Sequence, residues 1–222
     1  SAGAVAHIEP IVLNPAEKGY LLLLFQRQNP LIFQKHDPLR RGLPAQGRHL
    51  RVPRRGTDCR SSAQVDAERA VSARLEAIRG AACVKMGFAG NLADATENSP
   101  AVPKVGFVSA SQDYTDISGK QVSGENMDIC ARVISVFKCH KACPLTAASA
   151  ISVAAAVPGT VVHELARQTE PGRVRIGHPS GVMTMFPYLD NGAKPLDEIR
   201  VSGVAVQRTA RRIMDGTVYI PR

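Results

Sequence analysis

The sequence has no apolar run long enough to cross a bilayer. Its most apolar stretches are Tyr20-Leu21-Leu22-Leu23-Leu24-Phe25 and the segment from Leu145 to Val157, whereas a membrane helix needs about 20 apolar residues. The first residues lack a basic region followed by a signal-like apolar core. There is no glycine-rich phosphate loop, no dinucleotide fingerprint and no internal repeat, which leaves the motif-borne nucleotide-binding classes and the solenoids without support. The five cysteines (Cys59, Cys83, Cys130, Cys139 and Cys143) are odd in number and lack the layout of a secreted disulfide framework. Cys139, His140 and Cys143 form one thiol pair beside one imidazole, with no second ligand pair at a usual spacing, so no metal site is expected. Together these absences predict a reducing, cytoplasmic setting with no membrane contact.

The net charge of +9 is unevenly spread. From Arg27 to Arg60 there are nine Lys or Arg against Asp37 and Asp58, so that segment carries +7 and the rest of the 222 residues only +2. Lys35 to Ser62 holds three prolines, three glycines and little aliphatic periodicity, and reads as a basic loop or disordered arm. It has no aromatic residue beyond Phe33 at its edge, so base stacking is unsupported and nucleic acid is an unlikely partner. Polyanion binding through backbone phosphates is the alternative this segment offers.

What the sequence does have is an uncharged stretch from Leu145 to Val157 with apolar residues on every face at helical pitch. Such a helix must be buried all round. Pro144 suits a helix start, and Pro158-Gly159 ends it. A small domain can bury the helix by curling a sheet around it, which leaves the amides and positive dipole end near Pro144 as a place for an anion.

Around this helix, short strands are expected at His7–Leu13, Gly19–Gln26 and Leu31–Phe33, and an amphipathic helix over Ser62–Ala82, with Val71, Leu75, Ile78 and Ala82 on one face. A polar loop follows from Gly90 to Pro103, then a buried strand from Lys104 to Ser109 and a turn region from Asp113 to Gln121. Asp128–Lys138 fits helix and strand alike, and its alternation favours strand. Further strands are expected at Arg173–Gly177, Val182–Phe186, Ile199–Gln207 and Thr217–Ile220. The fold class is therefore α+β, a mixed or antiparallel sheet rolled around one central apolar helix. Three segments are expected: 1–34 as strands of uncertain packing, 35–62 as the basic arm, and 63–222 as the main domain.

Several short motifs, in order, carry a family resemblance. They are Ala73-Arg74-Leu75-Glu76-Ala77-Ile78-Arg79, Ser99-Pro100-Ala101-Val102-Pro103-Lys104-Val105, Asp113-Tyr114-Thr115 with Ser118-Gly119-Lys120, Val157-Pro158-Gly159-Thr160-Val161-Val162, Ile176-Gly177-His178-Pro179-Ser180-Gly181, and Thr209-Ala210-Arg211-Arg212-Ile213-Met214-Asp215-Gly216. From about Val65 to Arg222 the chain resembles the PrpF family, which includes 2-methylaconitate cis-trans isomerase, 3-methylitaconate isomerase and 4-oxalomesaconate tautomerase. The resemblance implies one half, the second, of a diaminopimelate-epimerase-like fold, in which two sheet-around-helix halves flank an active-site cleft. It implies cofactor-independent proton transfer next to a carboxylate of a small unsaturated di- or tricarboxylate.

The family's proton-abstracting lysine and its cysteine or serine partner lie in the first half, which has no counterpart here. The chain is accordingly expected to be truncated and weakly active or inactive alone. The alternatives are a non-catalytic homologue, or a half-subunit completed by a homo-oligomer or a separate first-half chain. Lys138, His140 and Thr146 match the family pattern at the helix mouth, and His178, Pro179, Ser180 and Gly181 are implied substrate contacts. Cys143 is the one catalytic candidate, since a thiol at a helix N-terminus tends to a lowered pKa; a small half-buried thiol is the plainer reading. Arg208, Arg211 and Arg212 read as surface arginines before carboxylate clamps.

Overall fold

A computed structural model of the chain describes residues 23–25, 59–158, 160–190, 200–207, 212–217 and 219. The expected strands at His7–Leu13 and Leu31–Phe33, and all of the basic arm before Cys59, lie outside the described residues.

One mixed sheet runs in the order β1 (Leu23–Phe25), β2 (Lys104–Ala110), β5 (Ile129–Ser135), β7 (Val174–His178), β8 (Gly181–Asp190) and β9 (Arg200–Val206). All neighbours are antiparallel except β5 and β7, which run parallel with Ile129 opposite Ile176. The short β6 (Lys138–Cys139) folds back on β5, and β3 (Tyr114–Thr115) with β4 (Gln121–Val122) forms a separate small ribbon. The parallel β5–β7 pair needs a crossover, and the central helix α4 (Leu145–Ala156) with α5 (Val161–Leu165) supplies it. α4 lies against β7, β8, β9 and β1.

The uncharged run thus becomes the buried rod expected of it. Ala147, Ala148, Ala150, Ile151, Ser152, Val153, Ala154 and Ala155 are all buried, and Ile151 meets Val105, Val108, Ile129, Val133, Ile176 and Met185 in one continuous core. Small alanines let the backbone approach the sheet closely, while each buried Ile or Val side chain contributes about 1.5–3 kcal/mol. Pro144 is the cap residue rather than the first helical residue, and no side chain caps the helix. At the far end Thr160 caps α5, its Oγ1 accepting from His163 N at 3.0 Å.

Four expectations are corrected. The helix expected over Ser62–Ala82 is broken at Glu68 into α1 (Ser62–Ala67) and α2 (Arg69–Lys85): Glu68, at φ −88° and ψ 86°, leaves helical geometry, and a capping box between Ser61 and Gln64 starts α1. The loop expected over Gly90–Pro103 contains α3 (Leu92–Asn98), capped by Asn91 whose Oδ1 accepts from Asp94 N at 2.9 Å. Thr217 and Tyr219 are not in a strand, and the rest of that expected element lies outside the described residues. Cys59 and Cys130 are joined as a disulfide, against the expectation of unpaired thiols, while Cys83, Cys139 and Cys143 are free and buried. The pairing brings the segment before α1 onto β5, where Cys59, Cys130, Tyr114, Val122 and Met127 form a second small core.

Candidate functional site

The β7–β8 hairpin ends in a two-residue turn. His178 pairs with Gly181, leaving Pro179 and Ser180 as the link. Proline pre-sets the first turn position, and Gly181 follows at φ +122°, a conformation that L side chains rarely adopt. The turn is held from several sides. Ile117 N donates to Pro179 O at 2.8 Å. The Tyr114 hydroxyl lies 2.6 Å from the carbonyl oxygens of both His178 and Gly181. Ser180 Oγ donates to Lys141 O, tying the turn to the loop that leads into α4.

That loop is fixed in turn by backbone bonds. Cys139 N donates to Asp66 Oδ1 at 2.6 Å and His140 N to Val133 O at 2.7 Å. The two candidate histidines share a local pattern: Ala142 N donates to His140 Nδ1 and Ser180 N to His178 Nδ1, both at 3.2 Å. His178 is buried, and burial, followed by the nearby Arg132 charge, pushes it down to about 4. It is therefore a neutral imidazole near pH 7. With Nδ1 accepting, its ring hydrogen sits on Nε2 as a donor.

Arg132 is the residue behind both walls. It sits in the middle of β5, is 1% exposed, and has no carboxylate partner among the described residues. Its Nε donates to Arg60 O, and its Nη1 to Ala131 O at 2.7 Å, Gly177 O at 3.4 Å and Cys130 Sγ at 3.3 Å. The guanidinium lies 5.1 Å from the centre of the Tyr114 ring, a cation–π distance. Its Nη2 has no hydrogen-bond partner among the described residues.

The thiols behave against the expectation for Cys143. Burial pushes the Cys143 thiol up to about 12 and Cys139 up to about 11, in each case against the pull of Arg132. The helix dipole argument considered charge and left out desolvation, and here desolvation wins. Both stay protonated at neutral pH. Lys138 and Thr146 are exposed on β6 and in the first turn of α4, and no hydrogen bond among the described residues joins either to the turn. Arg212 pairs with Asp215 at the surface, at 3.0 Å, and Arg208 and Arg211 lie outside the described residues.

The arrangement therefore gathers donors and positive field: the His178 Nε2–H, the α4 amides unserved by any capping side chain, and a buried guanidinium behind them. Such a set suits a carboxylate or an enolate-like charge. Its two thiols, Cys139 and Cys143, are held protonated and its His178 imidazole is held neutral.

A family model described as "PrpF protein" matches residues 51–221. The chain belongs to the PrpF family. It is 40% identical over 152 residues to the 3-methylitaconate isomerase of Eubacterium barkeri, a match covering 68% of this chain and 38% of that protein. It is 35% identical over 160 residues to the 2-methyl-aconitate isomerase of Shewanella oneidensis, covering 71% of this chain and 39% of the relative. A crystal structure of methylitaconate-delta-isomerase superposes with a TM-score of 0.58 at 32% identity, over 68% of this chain and 40% of that one. The chain spans about two fifths of the length of these PrpF relatives, and the α+β fold with its curled mixed sheet agrees with the solved structure.

Sequence reasoning missed Arg132 and gave Tyr114 no role. The available signal was a charged residue inside β5, a strand buried along nearly its whole length. Only a partner or a function justifies burying that charge.

Proposed function

We propose that this chain contributes the carboxylate-holding wall of an isomerase that moves a proton next to a carboxylate of a small unsaturated di- or tricarboxylate. The observation that carries this reading is the meeting of the His178–Gly181 turn, through Ser180, with the loop entering α4, over the buried Arg132 charge. Membership in a family whose matched relatives are isomerases of methylitaconate and methylaconitate supports it. Proton transfer between carbons also needs a base and an acid. Cys139 and Cys143 are held protonated and His178 is a weak base, so the base is supplied from outside the described residues.

Deuterium uptake tests the division of labour. In heavy water, 3-methylitaconate or cis-aconitate incubated with this chain alone is expected to exchange its carbon-bound protons little above the buffer rate. Rapid exchange by the chain alone, abolished by a substitution within residues 59–190, would place the base here and overturn the reading.

A further inference from the structure

Arg132 is the buried group that the carboxylate-holding reading does not by itself use. Burying a guanidinium without a carboxylate is costly, and elsewhere in this fold a buried arginine is neutralised: Arg79 pairs with Glu76. Arg132 pairs with no acid among the described residues, and its Nη2 is unpartnered. Besides Arg60 O, Ala131 O and Cys130 Sγ, it reaches the layer beneath the turn. Nη1 reaches Gly177 O, the residue before the turn, at 3.4 Å. The guanidinium lies over the Tyr114 ring, and the Tyr114 hydroxyl holds the carbonyls on both sides of the turn. Gly177 rests directly on this layer: a Cβ there would fall 2.3 Å from Met127 Sδ and 3.4 Å from Tyr114 Cε1.

We propose that Arg132 and Tyr114 are positioning residues that hold the His178–Gly181 turn in the shape that presents its donors to a substrate carboxylate. The proposal deepens the reading above and rests on it. The chain of contacts runs from β5 through the aromatic ring to the turn carbonyls, so neither residue needs to touch the ligand. The uncompensated charge adds a second effect. It opposes protonation of His178, which keeps Nε2–H as a neutral donor, and it leaves a positive field beneath the turn with no paired carboxylate among the described residues.

The test uses the full, unliganded chain labelled with nitrogen-15, comparing wild type with Tyr114→Phe, Arg132→Lys and Arg132→Met. The readouts are the ring-nitrogen titration of His178 and the hydrogen exchange of the Ser180 amide. Tyr114→Phe is expected to speed Ser180 exchange by roughly tenfold through local opening while leaving the His178 midpoint low. Arg132→Met is expected to raise that midpoint part of the way from about 4, the burial that is its larger cause remaining. Arg132→Lys is expected to restore the low midpoint, through its charge, but not the slow exchange. cis-Aconitate affinity is expected to fall in Tyr114→Phe and Arg132→Met alike.

If Arg132→Met does not fold, the other two variants decide. Wild-type exchange in folded Tyr114→Phe and Arg132→Lys would overturn the proposal, as would an unchanged His178 midpoint in folded Arg132→Met. Failure of the wild-type chain to bind cis-aconitate would instead remove the carboxylate reading, and the ring and exchange measurements would still decide whether the turn is positioned this way.

Discussion

Arg79 and Arg132 are both buried, at 3% and 1% exposure, and they differ in how their donors are used. Arg79 donates from Nε and Nη2 to Glu76, from Nη2 to Ala95 O at 2.9 Å, and from Nη1 to Ser99 O and Val102 O at 2.8 and 2.7 Å. It clamps α2, α3 and the following loop together, and nothing is left over. Arg132 has no acid among the described residues and one idle nitrogen. It sits beside the residues a sequence reading would nominate for chemistry. A carboxylate partner together with full use of its donors sets Arg79 apart from Arg132, while Arg74 Nη2 and Arg173 Nε, away from the turn, are also unpartnered.

The largest expected effect comes from removing the satisfied arginine. Arg79→Met leaves Glu76 with only the Thr96 hydroxyl and three carbonyls without their Arg79 donor, and is expected to cost about 3–5 kcal/mol in urea unfolding. Arg132→Met orphans no carboxylate and is expected to cost about half as much or less, in the range of lost hydrogen bonds. Equal losses would break the comparison.

The pH dependence sharpens it. His178 titrates near 4 when folded and near 6.5 when unfolded. Between those values the unfolded chain binds more protons, so stability is complete above about pH 6.5 and falls as pH drops toward 4, by about 3 kcal/mol at most. Asp128 adds a loss at lower pH. Burial alone would raise its carboxyl, but bonds from Arg175 and Thr169 outweigh that and hold it below the usual range, so its contribution disappears as pH falls through that lowered value. Urea unfolding across pH 3.5–7.5 of wild type and His178→Gln checks this, the variant losing the upper part of the slope. Gly177→Ala is expected to cost about 1–3 kcal/mol by overpacking against Met127. Cys143→Ser is expected to leave deuterium exchange unchanged in any assembly that restores activity, because the thiol is held protonated near 12.

Much of this fold was legible because apolar pattern and punctuation agree. Pro144 and Pro158 bracket α4 and its uncharged content forces burial, while Ile129, Ala131 and Val133 alternate as β5 requires. The misses have local causes. α3 is short and polar, and its one start signal is Asn91. The break at Glu68 has no proline or glycine beside it, so a periodicity count passes over it. The Ser180–Lys141 bond that joins the turn to the loop carrying His140 is seen only in the structure; the resemblance named His178–Gly181 and His140 separately. It could not reveal Arg132, because a charged residue in an alternating strand reads as a solvent face until helices and a ribbon are seen to cover both sides. At Cys143 the plainer reading of an inert thiol agrees with its burial; the lowered pKa was the weaker alternative, because the dipole is visible in sequence and desolvation is not.

The most direct measurement is an amide NMR titration of the labelled chain with cis-aconitate. The account expects saturable shifts concentrated at residues 178–181 and 140–147, weakened in Ser180→Ala. Shifts spread over the surface, or confined to other residues while this turn stays unmoved, would contradict it.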